Sequence, residues 1–264
     1  MGRILHRNFG AKFYAYYGLW DTRFFNAADV HGMLELNQQI DCIASHMITL
    51  DLPYNSKTFD INAISFVRDP VERVLSLYFH SLRMTKEVGG ETTNESVDKF
   101  FERVFSEQKE KRFIDAQYRF LTHGFEDDDR LSKIKELIRS RKILIAPLER
   151  FDETCLVLEA RFPNFFKNTC YTSRGMISPR NQEVSELLRS KILKANPLDS
   201  NLYNIVKQEF NNICDDELGG AEKLQILMKD YKQRAIKLAK IEKMEKLRNT
   251  VINFLSDKVG RILR

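Results

Sequence analysis

Apolar residues recur along this chain in two periods, and the switches between them mark its elements. Near the start, Ile4, Leu5 and Phe9 are spaced as on a helix. An aromatic cluster follows, Phe13, Tyr14, Tyr16, Tyr17 and Trp20, which reads as packing rather than chemistry. The run Ile40 to Ile48 is hydrophobic and holds Ser45 and His46. Beyond the turn residues Pro53, Asn55 and Ser56 comes a short apolar run, Ile61, Ala63, Ile64, Phe66 and Val67, whose length and β-branched residues predict a buried strand. It stops at Arg68-Asp69-Pro70. From Val71 the period becomes helical, with Val71, Val74, Leu75, Tyr78, Phe79 and Leu82 on one broad face.

After a polar loop, Val88 to Asn94, the spacing predicts helices from Val97 to about Glu107 and around Phe113 to Leu121. The acidic run Glu126 to Asp129 opens another, Leu131 to Ser140, where negative charge complements the positive end of the helix dipole. Lys142 to Ala146 predicts a second buried strand, followed by Pro147 and a helix from about Phe151 to Glu159. Residues 164–182 read as loop, and helices are expected at about 181–194, 199–212 and 221–256. Two buried strands separated and flanked by helices argue for an α/β fold with a small parallel sheet and a helix-rich C-terminal half. The chain divides into a main domain, 1–220, and a basic amphipathic C-terminal helix, 221–264. No internal repeat or low-complexity segment interrupts it.

Composition narrows the classes. With 264 residues, 43% hydrophobic and 30% charged, the chain has the apolar material for a sizeable core. No stretch has the roughly 18–20 uncharged apolar residues of a membrane helix. Arg3, His6, Arg7 and Lys12 interrupt any signal-type core, so the sequence reads as soluble, non-exported and cytoplasmic as it stands. Cys42, Cys155, Cys170 and Cys214 lie far apart with no C-x-x-C pair, which predicts buried free thiols rather than a zinc module or a disulfide scaffold. The net charge is +5, but residues 221–264 carry twelve Lys and Arg against five Asp and Glu, so residues 1–220 are at −2. The main domain is thus no nucleic-acid binder by composition. Attraction to polyanions would come from the tail.

The junction Phe66 to His80 carries the chemistry. Asp69 is a good N-cap, Pro70 suits the first helical position, and Glu72 at the third position would complete a capping box. Backbone N–H groups at such a helix start point to the carboxyl end of the sheet, where α/β folds bind anions. Arg68 ends the strand, Arg73 lies in the first helical turn, and Ser76 follows one turn on, on the same side as Arg73. Guanidinium forks and a hydroxyl aimed at one point suit a phosphate. Asp69, Glu72 and Arg73 could also serve only to cap and salt-bridge the helix end.

The string R-D-P-x-x-R-x-x-S after an apolar strand resembles the 3'-phosphate-binding segment of the sulfotransferases that use PAPS (3'-phosphoadenosine 5'-phosphosulfate). The glycan O-sulfotransferase branch, with its R-D-P-x-E-R-x-x-S-x-Y-x-F type sequence, is the nearest in pattern, and the resemblance continues at Tyr78 and Phe79. Further on, Ile145 to Glu153 (IAPLERFDE) looks like the family's second sheet strand with its E-R-F-x-E turn, and Asn196 to Tyr203 (NPLDSNLY) like the late N-x-x-D-x-x-L-Y helix start. The match covers about residues 4–212. It implies a P-loop-like fold and transfer of a sulfuryl group from PAPS to an acceptor hydroxyl, with Arg68 and Ser76 on the 3'-phosphate. In the uronyl 2-O-sulfotransferase branch a histidine some twenty residues before the R-D-P segment is the general base. His46 occupies that place, although Ala44 stands where the branch has a second histidine. Arg174 lies where the family brings a late loop over the nucleotide. The expected reaction needs no metal, because positioning and fixed positive charge suffice.

One departure matters. The family's P-K-x-G-[GST]-[TS]-[ST] loop, which cradles the 5'-phosphosulfate, is missing from this sequence, and no G-K dipeptide replaces it. Ile4 to Gly10 resembles the helix that follows that loop. The chain is therefore expected to be either a fragment of a longer enzyme or an inactive relative. Three readings stand: a sulfotransferase acting on a carbohydrate hydroxyl; a non-catalytic nucleotide- or partner-binding protein; and a polyanion- or membrane-surface binder using the tail, whose helix could also mediate an oligomer.

Overall fold

The computed structural model describes residues 1–16, 24–89, 95–107, 110–126, 129–172 and 184–262, with side chains described as far as residue 250. In chain order the elements are α1 (Gly2–Phe9), β1 (Phe13–Tyr16), α2 (Ala27–Leu36), β2 (Cys42–Ser45), β3 (Ala63–Val67), α3 (Pro70–Glu87), α4 (Val97–Glu107), α5 (Ala116–Leu121), α6 (Arg130–Arg139), β4 (Ile143–Pro147), α7 (Phe151–Arg161), α8 (Glu186–Ala195), α9 (Pro197–Leu218) and α10 (Gly220–Ile262). The fold is mixed α/β, dominated by helices. Its strands pair in parallel in two separate sheets, β1 with β2 and β3 with β4, rather than in one. The first pair falls partly in the aromatic cluster, because aromatic residues suit a pleated surface as well as they suit a core.

Two compact units divide the chain. One is built from Ala11–Phe151 and Met176–Ile213 and holds all four strands. Its apolar centre joins Val71, Val74, Leu75 and Tyr78 of α3 to Phe101 and Val104 of α4, Phe113, and Leu188 and Ile192 of α8. Strand β4 is buried along its whole length, as predicted. Strand β3 is buried only at Val67, with Ile64, Ser65 and Phe66 half-buried. An apolar run does not reveal how deeply a strand will be covered: β3 and β4 pair with each other, and β4 is the more deeply buried of the two.

Local chemistry fixes the helix ends. Asn26 and Asp29 form a reciprocal capping box on α2, Asp129 from the acidic run accepts the Ser132 N–H at α6, and Ser185 accepts the Leu188 N–H at α8. The helix expected over 113–121 is broken, because Asp115 takes a left-handed conformation (φ 44°) between a 3-10 turn at Lys111–Phe113 and α5. The boundary between α9 and α10 is set by Gly219 and Gly220, both at positive φ (78° and 83°), where a side chain would be strained.

The second unit consists of Met1–Gly10, Asp152–Gly175 and Cys214–Arg264. Here the Asn8 side chain bonds both ways to the backbone at Lys167 and Asn168. Phe9 packs on Phe165 and Phe166. Arg161 and Glu217, 9% and 10% exposed, form an ion pair at 2.5 Å. Helix α10 is anchored to this unit by Tyr231, whose hydroxyl donates to the Thr169 carbonyl (2.9 Å), and by Arg234, which reaches both oxygens of Glu159. Farther along, Ile241, Met244 and Leu247 are exposed. Cys155, Cys170 and Cys214 are buried free thiols and Cys42 is half-buried. Burial pushes the Cys42 thiol up to about 12 and Cys155 to about 11. Among the described residues no helix is long and apolar enough to cross a membrane.

Candidate functional site

The β3–α3 junction has no spare loop. Asp69 caps α3 by accepting the Val71 and Glu72 N–H groups at 3.0 and 3.1 Å, with Pro70 in the first turn. Two corrections follow. The reciprocal half of the expected capping box is absent, since the Asp69 N–H donates to Glu149 Oε1 (3.1 Å) rather than to Glu72. The first free N–H groups of the helix are also already taken by the Asp69 carboxylate. An anion at this corner would therefore be held by side chains, not by the helix start.

The charged side chains at this corner include Arg68, Glu72, Glu149 and Arg189. The Arg68 guanidinium stands between two carboxylates, 3.8 Å from Glu72 and 3.9 Å from Glu149, distances at which it forms loose ion pairs. Glu72 is approached from its other oxygen by Arg189 of α8, also at 3.8 Å. The sequence pattern assigns no site role to Arg189 or Glu149. Ser76 is half-buried on α3, one turn from Arg73.

Three sequence strings meet at this corner. Glu149, from the E-R-F-x-E string, accepts the Asp69 N–H with one oxygen and the Tyr203 hydroxyl with the other (3.2 Å). Tyr203 belongs to the N-x-x-D-x-x-L-Y string. Burial, then the neighbouring Glu149 charge, raises the Tyr203 phenol above its ordinary value, so it stays a donor. Glu149 thus pins the R-D-P segment, the turn after β4 and the start of α9 to one point.

The same late string supports the junction a second way. Asp115 Oδ1 accepts the Leu198 and Asp199 N–H groups (both 2.9 Å) at the start of α9, and Asp199 accepts the Tyr118 and Gln117 N–H groups (2.7 and 3.3 Å) at the start of α5. Asn196, fully buried, accepts the Asp115 N–H at 2.7 Å. Each helix start is therefore capped by the other's acid. Burial raises the Asp199 carboxyl, while the two backbone N–H bonds act in the opposite direction. Arg73 joins this node rather than the Arg68 corner. Its guanidinium donates to the Arg112 carbonyl (2.9 Å), burial lowers its pKa, and Asp199 favours its charge.

His46 follows the last residue of β2, exposed, in a turn held by the Met47 N–H donating to Ser45 Oγ (3.0 Å). It lies at the carboxyl end of its strand pair, as Arg68 does at the end of β3. Arg174 lies outside the described residues. Among the described residues no group of His, Cys, Asp and Glu is arranged to hold a metal ion.

These strings, in this order on an α/β scaffold, define a sulfuryl-transfer class of protein. The family described as the sulfotransferase family matches residues 1–205, and the chain belongs to it. The family's chemistry is transfer of a sulfuryl group from a sulfonate donor to an acceptor hydroxyl. No curated protein and no solved structure matches the chain.

Proposed function

We propose that the donor is PAPS and the acceptor a carbohydrate hydroxyl, with the 3'-phosphate on Arg68 and Ser76; Arg73, one turn before Ser76, is engaged with the Arg112 carbonyl at the neighbouring node and is left out of the phosphate contact. The observation that supports this reading is the convergence of the three strings on Glu149, which fixes the strand end from which Arg68 projects. A phosphate fits the corner, because among the described residues the Arg68 guanidinium meets its carboxylates at 3.8 and 3.9 Å and can trade these two loose ion pairs for charge-assisted hydrogen bonds. In the transfer step the acceptor oxygen bonds to sulfur as the bond from sulfur to the phosphate oxygen breaks. The hydroxyl proton passes to the His46 imidazole, and adenosine 3',5'-bisphosphate leaves with the electron pair. Arg174 would close over the nucleotide.

The test is release of adenosine 3',5'-bisphosphate from PAPS in the presence of neutral and uronic-acid-containing oligosaccharides. Acceptor-dependent release is expected, and EDTA should leave its rate unchanged, because the proposed stabilisation of charge comes from side chains. Loss of the rate in EDTA would overturn the metal-free mechanism. A second reading, a nucleotide-binding protein without transfer, is favoured by the lack of a P-K-x-G type string. It predicts bisphosphate binding with no release on any acceptor.

A further inference from the structure

Where the β3–β4 ladder stops, at Val67 opposite Pro147, the next residue is Arg68, and its backbone N–H and C=O lie beyond the last strand pair. Gln117 supplies both missing partners. Its Oε1 accepts the Arg68 N–H at 2.7 Å and its Nε2 donates to the Arg68 carbonyl at 2.9 Å. One side-chain amide thus imitates the peptide group of a neighbouring strand and fixes the backbone of Arg68 from both sides.

We propose that Gln117 is the positioning residue of the anion site: it sets the direction in which the Arg68 side chain leaves the strand, and so sets discrimination for a ligand bearing a 3'-phosphate. This inference rests on the donor-site reading above. The clamp is itself held from behind. The Gln117 N–H is on Asp199 Oδ2 (3.3 Å), the adjacent Tyr118 N–H is on Oδ1 (2.7 Å), and the Asp199 N–H is on Asp115. Position thus passes from the start of α9, through α5, to the end of β3. The N-x-x-D string, far from Arg68 in sequence, acquires a reason to be in the site. A guanidinium that must meet phosphate oxygens in a fixed fork tolerates little error in where its stem begins. Among uncharged side chains of this length, glutamine supplies a donor and an acceptor in one plane, whereas methionine fills the same volume with neither.

The experiment measures the dissociation constants of adenosine 3',5'-bisphosphate and 5'-AMP on wild type, Gln117→Met, Gln117→Asn and Arg68→Ala by calorimetry, after checking each variant's unliganded thermal midpoint. The ratio of the two constants is the readout, because a general loss of folded protein weakens both ligands alike and leaves the ratio unmoved. Gln117→Met should cut the preference for the 3'-phosphate by about tenfold with 5'-AMP affinity unchanged. Gln117→Asn keeps the amide but is one methylene short, and should also lose preference. An unchanged ratio in both Gln117 variants, with the ratio lost in Arg68→Ala, would overturn the positioning role while leaving the donor site standing. A wild type with no preference for the 3'-phosphate would overturn both.

Discussion

Replacing His46 with alanine should lower the rate of sulfuryl transfer by about 10²–10⁴-fold and leave the affinity for adenosine 3',5'-bisphosphate unchanged. The acceptor hydroxyl must lose its proton as its oxygen bonds to sulfur, and a histidine takes a proton near neutral pH. His46 stands at the carboxyl end of β2, its side chain exposed and its turn pinned by Ser45, so it can meet an acceptor without first being uncovered. Because it contributes to the chemical step rather than to donor binding, the loss should appear in turnover. His80 is the control. It is exposed on α3 and shares a hydrogen bond with Arg83 (2.9 Å), and its replacement should leave the rate unchanged. An unchanged rate in His46→Ala would remove it from the reaction, and a fall in bisphosphate affinity matching the fall in rate would make it a donor-binding residue.

Tyr231→Ala should destabilise the protein by about 3–5 kcal/mol, the range for truncating a large buried ring. Tyr231 is 2% exposed although it lies in the basic tail, and its hydroxyl is bonded to the Thr169 carbonyl. Arg234, one turn on, pairs with both oxygens of Glu159. Tyr231→Phe keeps the ring and loses the hydroxyl with its bond to the Thr169 carbonyl, for about 1–2 kcal/mol. Equilibrium unfolding in denaturant measures both. If the first half of α10 were a free appendage, the alanine variant would cost less than about 0.5 kcal/mol. Deleting residues 221–264 would remove this anchor together with the positive charge. Charge reversal at exposed lysines such as Lys240 and Lys243 is therefore the cleaner test of polyanion binding.

What could be read from the sequence follows the range of the interactions. The strand-to-helix switch at Arg68-Asp69-Pro70 was legible because a cap and its helix are neighbours in the chain. The same local rule assigns the Asp69 N–H to Glu72, three residues away, and the structure gives it to Glu149, eighty residues away. The crossed caps of Asp115 and Asp199 span more than eighty residues, and no periodicity signals them. Gln117 sits in a stretch whose spacing predicts only a helix, so its clamp on Arg68 had no sequence signature. The N-x-x-D-x-x-L-Y string is visible as a pattern, but its physical roles, Asn196 and Asp199 on the α5 start and Tyr203 on Glu149, emerge only when the elements are packed. The spacing of the tail predicts an amphipathic stripe, and the stripe alone does not say which turns are covered. Tyr231 is buried and Met244 is 71% exposed on the same helix.

The most direct test of the donor site is calorimetric titration of the purified protein with adenosine 3',5'-bisphosphate, with 5'-AMP alongside, on wild type and Arg68→Ala. The account predicts binding that requires the 3'-phosphate and weakens by about 10–100-fold in the variant, the loss expected when a charge-assisted bond is removed. Equal affinity for the two nucleotides, or undiminished binding in Arg68→Ala, would contradict it.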